Sequence, residues 1–148
     1  ADISAHVIVL SNSSLIEGLR SDPLYQMMLS KCIAKRRFAY RYDGIIDYKI
    51  LDLHLLKSKP LVDNFDFLSG KDKYSLTRNM VAISLFLDKK KVTKNSVDSR
   101  IKIIFGVEVK QLLDNMVDKK SFISIYRKFY RRIFERIMRG MRNGSQQK

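Results

Sequence analysis

Asp43 and Asp47 are the carboxylates best spaced for chemistry in this chain. Four residues apart on a helix, they face the same way, and such a pair could pass a proton as acid and base. Local charge balance against Arg41, Lys49 and neighbouring cations is the stronger reading of them and needs no reaction. His6 and His54 are far apart, each on an apolar pattern, and neither stands in an HExxH spacing. The six glycines are scattered, so no phosphate-cradling loop forms, and no GxSxG elbow occurs. The expectation is a protein with no catalytic residues, no metal and no cofactor.

Cations and rings carry more information. The stretch from Ser121 to Arg142 reads SFISIYRKFYRRIFERIMRGMR. Arg127, Lys128, Arg131, Arg132, Arg136, Arg139 and Arg142 oppose a single acid, Glu135. Phe122, Ile125, Tyr126, Phe129, Tyr130, Ile133, Phe134, Ile137, Met138 and Met141 lie between them. At about 100° per residue the apolar set fills roughly half the helix, and nearly all the cations fall on the other half. A packed surface helix needs a stripe of only about 100°. A wider aromatic stripe backed by dense positive charge suits a helix that meets a membrane surface or a polyanion. In that reading Arg131, Arg132, Arg136 and Arg139 draw the helix to lipid head groups, and Phe129, Tyr130 and Phe134 wedge among acyl chains once the bundle opens.

A second basic cluster, Lys35, Arg36, Arg37 and Arg41, is interleaved with Phe38, Tyr40 and Tyr42. Nucleic-acid binders alternate charge and rings in this way, because bases stack on rings while phosphates meet cations. An ordinary helix with Phe38 and Tyr42 facing a core fits the same spacing. The absence of a helix-turn-helix signature or zinc ligands argues against nucleic acid as the partner.

The totals agree with a polyanionic partner. In 148 residues, 29 Lys and Arg oppose 15 Asp and Glu, for a net charge of +14. A charge of that size draws in anionic lipid, nucleic acid or acidic glycans. Cys32 is the sole cysteine, so no intrachain disulfide forms; it sits among apolar neighbours as an inert thiol. The chain opens at Ala1 rather than methionine, which suits a mature secreted chain or a trimmed one. Asn12-Ser13-Ser14 and Asn143-Gly144-Ser145 fit the glycosylation sequon. No apolar run approaches the roughly 18 residues needed to span a bilayer, so any membrane action is at the surface.

These residues must be positioned by helices. Two prolines, six glycines and scarce strand alternation predict an all-α, single-domain antiparallel bundle of five to six helices over residues 1–148. A first helix is expected from Ile3 to Leu19, with a cap or break at Ser11 to Ser14. Asp22-Pro23 should start a long second helix, weakened at Gly44 and ended near Lys57 by Lys59-Pro60. Leu61 to Asp72 reads as a loop turning at Gly70. A third helix spans Tyr74 to Lys90 with Leu76, Met80, Ile83 and Leu87 inward. A fourth starts at Ser96, is interrupted by Gly106, and continues past Val109, Leu112, Leu113 and Met116. The basic helix follows, and residues 143–148 read as a flexible polar tail.

Leu15-Ile16-Glu17-Gly18-Leu19-Arg20 and Lys31-Cys32-Ile33-Ala34-Lys35-Arg36-Arg37-Phe38 resemble the first two helices of abalone sperm lysin. There a Leu-Arg step precedes a long helix with an Arg-Arg-aromatic centre. Tyr74 to Lys91, ending Phe86-Leu87-Asp88-Lys89-Lys90-Lys91, resembles a lysin helix with a similar close. The resemblance runs from Val7 to Lys91. The terminal basic helix has no counterpart in lysin itself, which points to the fusagenic branch of the lysin family. Membership implies a secreted all-α protein of the sperm acrosomal vesicle, non-enzymatic and without cofactor. It implies fertilization as the setting and fusion of sperm and egg plasma membranes as the action. The alternative it implies is lysin-like binding and dissolution of the egg vitelline envelope, a glycoprotein coat. Partners are then the anionic egg membrane or an egg-surface glycoprotein, and the resemblance leaves room for a homodimer.

Overall fold

Short polar side chains open most of the helices. Ser11 Oγ accepts the Ser14 N–H at 3.1 Å, and Asp22 Oδ1 accepts the Leu24 N–H at 2.8 Å with Pro23 at the first position. Asp47 accepts from Lys49 and Ile50, Ser69 from Asp72, and Asp118 from Ser121. Thr93 and Ser96 form a reciprocal capping box. Each satisfies backbone donors that the first helical turn leaves without partners.

The computed structural model describes residues 11–30 and 46–145, and every regular element in them is helical. In chain order these are α1 (Asn12–Ser21), α2 (Pro23–Leu29), α3 (Tyr48–Leu56), α4 (Pro60–Asp63), a 3-10 turn at Phe65–Phe67, α5 (Gly70–Leu87), α6 (Lys94–Phe105), α7 (Val109–Leu113) and α8 (Lys119–Ser145). They form the expected helical bundle.

The boundaries differ from the expectation in four places, each for a local reason. The long second helix is interrupted: α2 ends at Leu29, and Asp47 is extended and caps a new helix. Asp47's carboxylate is therefore taken up by two backbone N–H groups, whereas a proton-shuttling pair needs a free one. The segment from Leu61 to Asp72 is not a loop. Pro60 starts α4, Phe65 begins the 3-10 turn, and Gly70 is the first residue of α5. A Cβ on Gly70 would lie 1.9 Å from the Leu113 carbonyl oxygen, so glycine lets the start of α5 abut the end of α7. Gly106, at φ 66°, closes α6 in the left-handed conformation, the interruption expected there, but the helix beyond it is short: α7 ends at Leu113, before Met116. Finally, α8 continues through Ser145, so the Asn143 sequon belongs to its last turn. His6, Cys32, Phe38, Tyr42, Asp43 and the cluster Lys35, Arg36, Arg37 and Arg41 lie outside the described residues, as do residues 146–148.

The core is built around α5, which is buried continuously from Met80 to Phe86. A helix apolar all round belongs at the centre of a bundle. Leu51 and Leu55 of α3, Val97, Ile101 and Phe105 of α6, and the inner side of α8 close on it. Phe105 stacks on Phe122 with centroids 5.0 Å apart and meets Phe129 edge-on at 5.8 Å, arrangements that add to the area they bury.

One polar tie joins α2 to α3. His54 Nε2 meets Asp22 Oδ2 at 2.8 Å, both side chains mostly covered. Burial pushes the Asp22 carboxyl up. The hydrogen bond from His54, the Leu24 N–H and the charge of His54 together outweigh it, and the net shift is downward. A carboxyl depressed on folding stabilises above its unfolded value and loses that contribution as pH falls through the folded one. Thermal midpoints should therefore drop as pH is lowered below about 4. Asp22→Ala should flatten part of that decline and remove about 1 kcal/mol at neutral pH through loss of the cap. Thermal melts from pH 2 to 7 test both.

Candidate polyanion-binding face

The 27 residues of α8 make a rod of about 40 Å. Apolar residues recur every three or four positions along it, and the bundle takes up that side. Phe122, Ile123, Tyr126, Phe129, Ile133 and Ile137 are buried. α3 lies antiparallel against it. The Tyr126 hydroxyl donates to the Ser58 carbonyl at 2.9 Å at one end. At the other, a Cβ on Gly140 would fall 2.1 Å from the Tyr48 ring, so the missing side chain admits the aromatic. Burial pushes the Tyr126 phenol up, so it stays a neutral donor.

The structure separates the site residues expected from the sequence. Arg127, Lys128, Arg131, Arg132, Arg139 and Arg142 are exposed on the outer arc, with Glu135 the one acid among them. Arg136 is set apart: half-buried, it pairs at 2.8 Å with Asp88, the residue that follows α5, and fastens the helix to the bundle. Phe129, expected to wedge into lipid, is 3% exposed and lies in the core. Arg132 sits over its ring at 5.4 Å. Tyr130 is half-buried, its phenol raised by burial and by the Asp52 charge. Of the three rings, Phe134 alone is exposed, at 41%. The helix is docked, because a stripe this wide is what a helix needs when several neighbours, here α3, α4, α5 and α6, cover it.

Two further cations belong to the face. Lys119 and Lys120 are exposed at the start of α8, and Lys119 pairs with Asp66. The helix begins at Lys119, with Asp118 accepting the Ser121 N–H, so the stretch from Ser121 leaves them out. Lys119, Lys120, Arg127, Lys128 and Arg131, with Asp118 as the one acid, line an open groove of about 770 Å³. Phe134, Met138, Arg139 and Arg142 line another of about 320 Å³ near the opposite end.

Among the described residues no group of three His, Cys, Asp or Glu is placed to hold a metal. His54 faces Asp22 rather than a groove, and its Nδ1 is buried without a partner. No described helix is long and apolar enough to cross a membrane. No protein-family model, curated protein or solved structure matches the chain.

Proposed function

We propose that the protein is a secreted, non-enzymatic fertilization protein that binds anionic membrane surfaces through the outer arc of α8 and promotes fusion of sperm and egg plasma membranes. One observation carries the membrane part: seven exposed cations, Lys120 to Arg142, with Lys119 beside them paired to Asp66, face one exposed acid, Glu135, along a single rod. Each cation near an anionic bilayer contributes about 1 kcal/mol, so the arc supplies several kcal/mol at low salt. The setting in fertilization rests on the resemblance to the lysin family. Because the inner rings of α8 are core residues, the folded bundle docks as a unit, and charge does most of the work.

The groove from Lys119 to Arg131 favours a second reading, an acidic egg-envelope glycoprotein as the ligand. Co-sedimentation with vesicles separates the two. Phosphatidylserine vesicles should bring the protein down at low salt, and phosphatidylcholine vesicles should not. Binding should fall steeply between 0.05 and 0.5 M salt, as the screening length shrinks from roughly 14 to 4 Å. Failure to bind phosphatidylserine at low salt, with dose-dependent loosening of isolated envelopes, would replace the membrane reading with the second.

A further inference from the structure

We propose that the surface which enters the bilayer headgroup layer is the shoulder where α3 lies against α8, with Leu53, Leu56 and Phe134 penetrating inside a frame of Lys49, Lys57, Arg127 and Arg131. The inference rests on the membrane-binding reading above and names the part of the molecule that goes in.

Leu53 is 61% exposed, Leu56 57% and Phe134 41%. Their placement follows from the helix pairing. Tyr48 meets Gly140 at one end of α3 and Ser58 meets Tyr126 at the other, so the two helices run in opposite directions. Leu53 and Leu56 then stand level with the stretch from Arg127 to Phe134. The Asp52 carboxylate acts on the Tyr130 phenol, which puts Tyr130 on the side of α8 nearest α3. Phe134 lies four residues on, along the same side. Lys49, Leu53, Leu56 and Lys57 form the outward face of α3, all exposed. The result is an apolar ridge on two helices, flanked by cations from both and continuous with the basic arc.

Charge distinguishes this ridge from the three apolar side chains that are more exposed, Phe67, Met116 and Ile103. Phe67 at 91% and Met116 at 71% are more exposed, but they sit at the end of the bundle with Asp66, Asp114 and Asp118 beside them. Asp114 and Asp118 repel an anionic surface, and Asp66 takes up the charge of Lys119. Ile103, 71% exposed on α6, stands alone, and its neighbour Lys102 is paired with Glu108. At the α3–α8 shoulder Asp52 and Glu135 are outnumbered by Lys49, Lys57, Arg127 and Arg131, so apolar area and net positive charge coincide, the combination that holds a helix at a lipid interface.

The chain has no tryptophan, so single-tryptophan variants report one position each. Leu53→Trp, Leu56→Trp and Phe134→Trp serve as probes, with Phe67→Trp and Ile103→Trp as comparators. All five positions are exposed, and circular dichroism verifies the fold of each. On adding phosphatidylserine vesicles, emission from positions 53, 56 and 134 should shift to the blue and be quenched by brominated acyl chains, while 67 and 103 remain unchanged. Leu53→Ser/Leu56→Ser should weaken vesicle affinity about tenfold. Co-sedimentation with unshifted emission at 53 and 56 overturns this inference and leaves the membrane reading standing. Loss of co-sedimentation for the native chain overturns both. A blue shift at 53 and 56 that grows with protein concentration in the absence of lipid assigns the ridge to a second copy of the chain and also overturns the inference.

Discussion

Arg127→Glu/Arg131→Glu/Arg132→Glu/Arg139→Glu is expected to abolish binding to phosphatidylserine vesicles while the helical fold persists. All four side chains are exposed on the outer arc of α8. Four cations at about 1 kcal/mol each amount to roughly a thousandfold in affinity, before any repulsion from the new carboxylates. Arg136 is left in place deliberately, because its guanidinium pairs with Asp88, and a glutamate there would set two carboxylates together. Co-sedimentation measures the loss, and far-UV circular dichroism confirms the fold. A variant that still binds at low salt would remove α8 from the lipid contact.

Phe129→Ala should destabilise the protein by about 3–5 kcal/mol in urea unfolding, the usual range for emptying a buried aromatic site. Phe129 is 3% exposed and stands edge-on to Phe105 at 5.8 Å. Phe134→Ala, five residues along and 41% exposed, should change stability by less than about 1 kcal/mol. The pair separates a docked helix from a free one. If Phe129→Ala were as mild as Phe134→Ala, the inner side of α8 would be available to lipid, and insertion of the whole helix would return as the mechanism.

The all-helical class was legible because apolar residues recur at three and four in the long segments and because Asp22-Pro23 marks a helix start plainly. Two features misled. The pattern from Leu24 to Leu56 keeps helical spacing across a break, since Asp47 reads as a face residue until its backbone is seen to be extended. Gly70 reads as a turn, and its real role, letting two backbones touch, depends on Leu113, which is 43 residues away. The cationic arc of α8 was visible as a list of residues. Its division was not: which ring fills the core, and which arginine is held by Asp88, are decided by α3, α5 and α6, and no periodicity within α8 encodes them. The exposed leucines of α3 escaped notice for the same reason, because spacing near three and four looks inward until a neighbouring helix shows which side is covered.

The alternation of buried and charged positions along α8 has an evolutionary corollary. The letters that specify folding and those that, on the membrane-binding reading proposed above, would specify affinity occupy different registers of one helix, so selection can rewrite the outer set while the inner set stands still. A lineage under pressure to change its target can therefore diversify this rod quickly, substitution by substitution, without passing through unfolded ancestors. Arg136 is the exception: spelling it differently edits both texts at once.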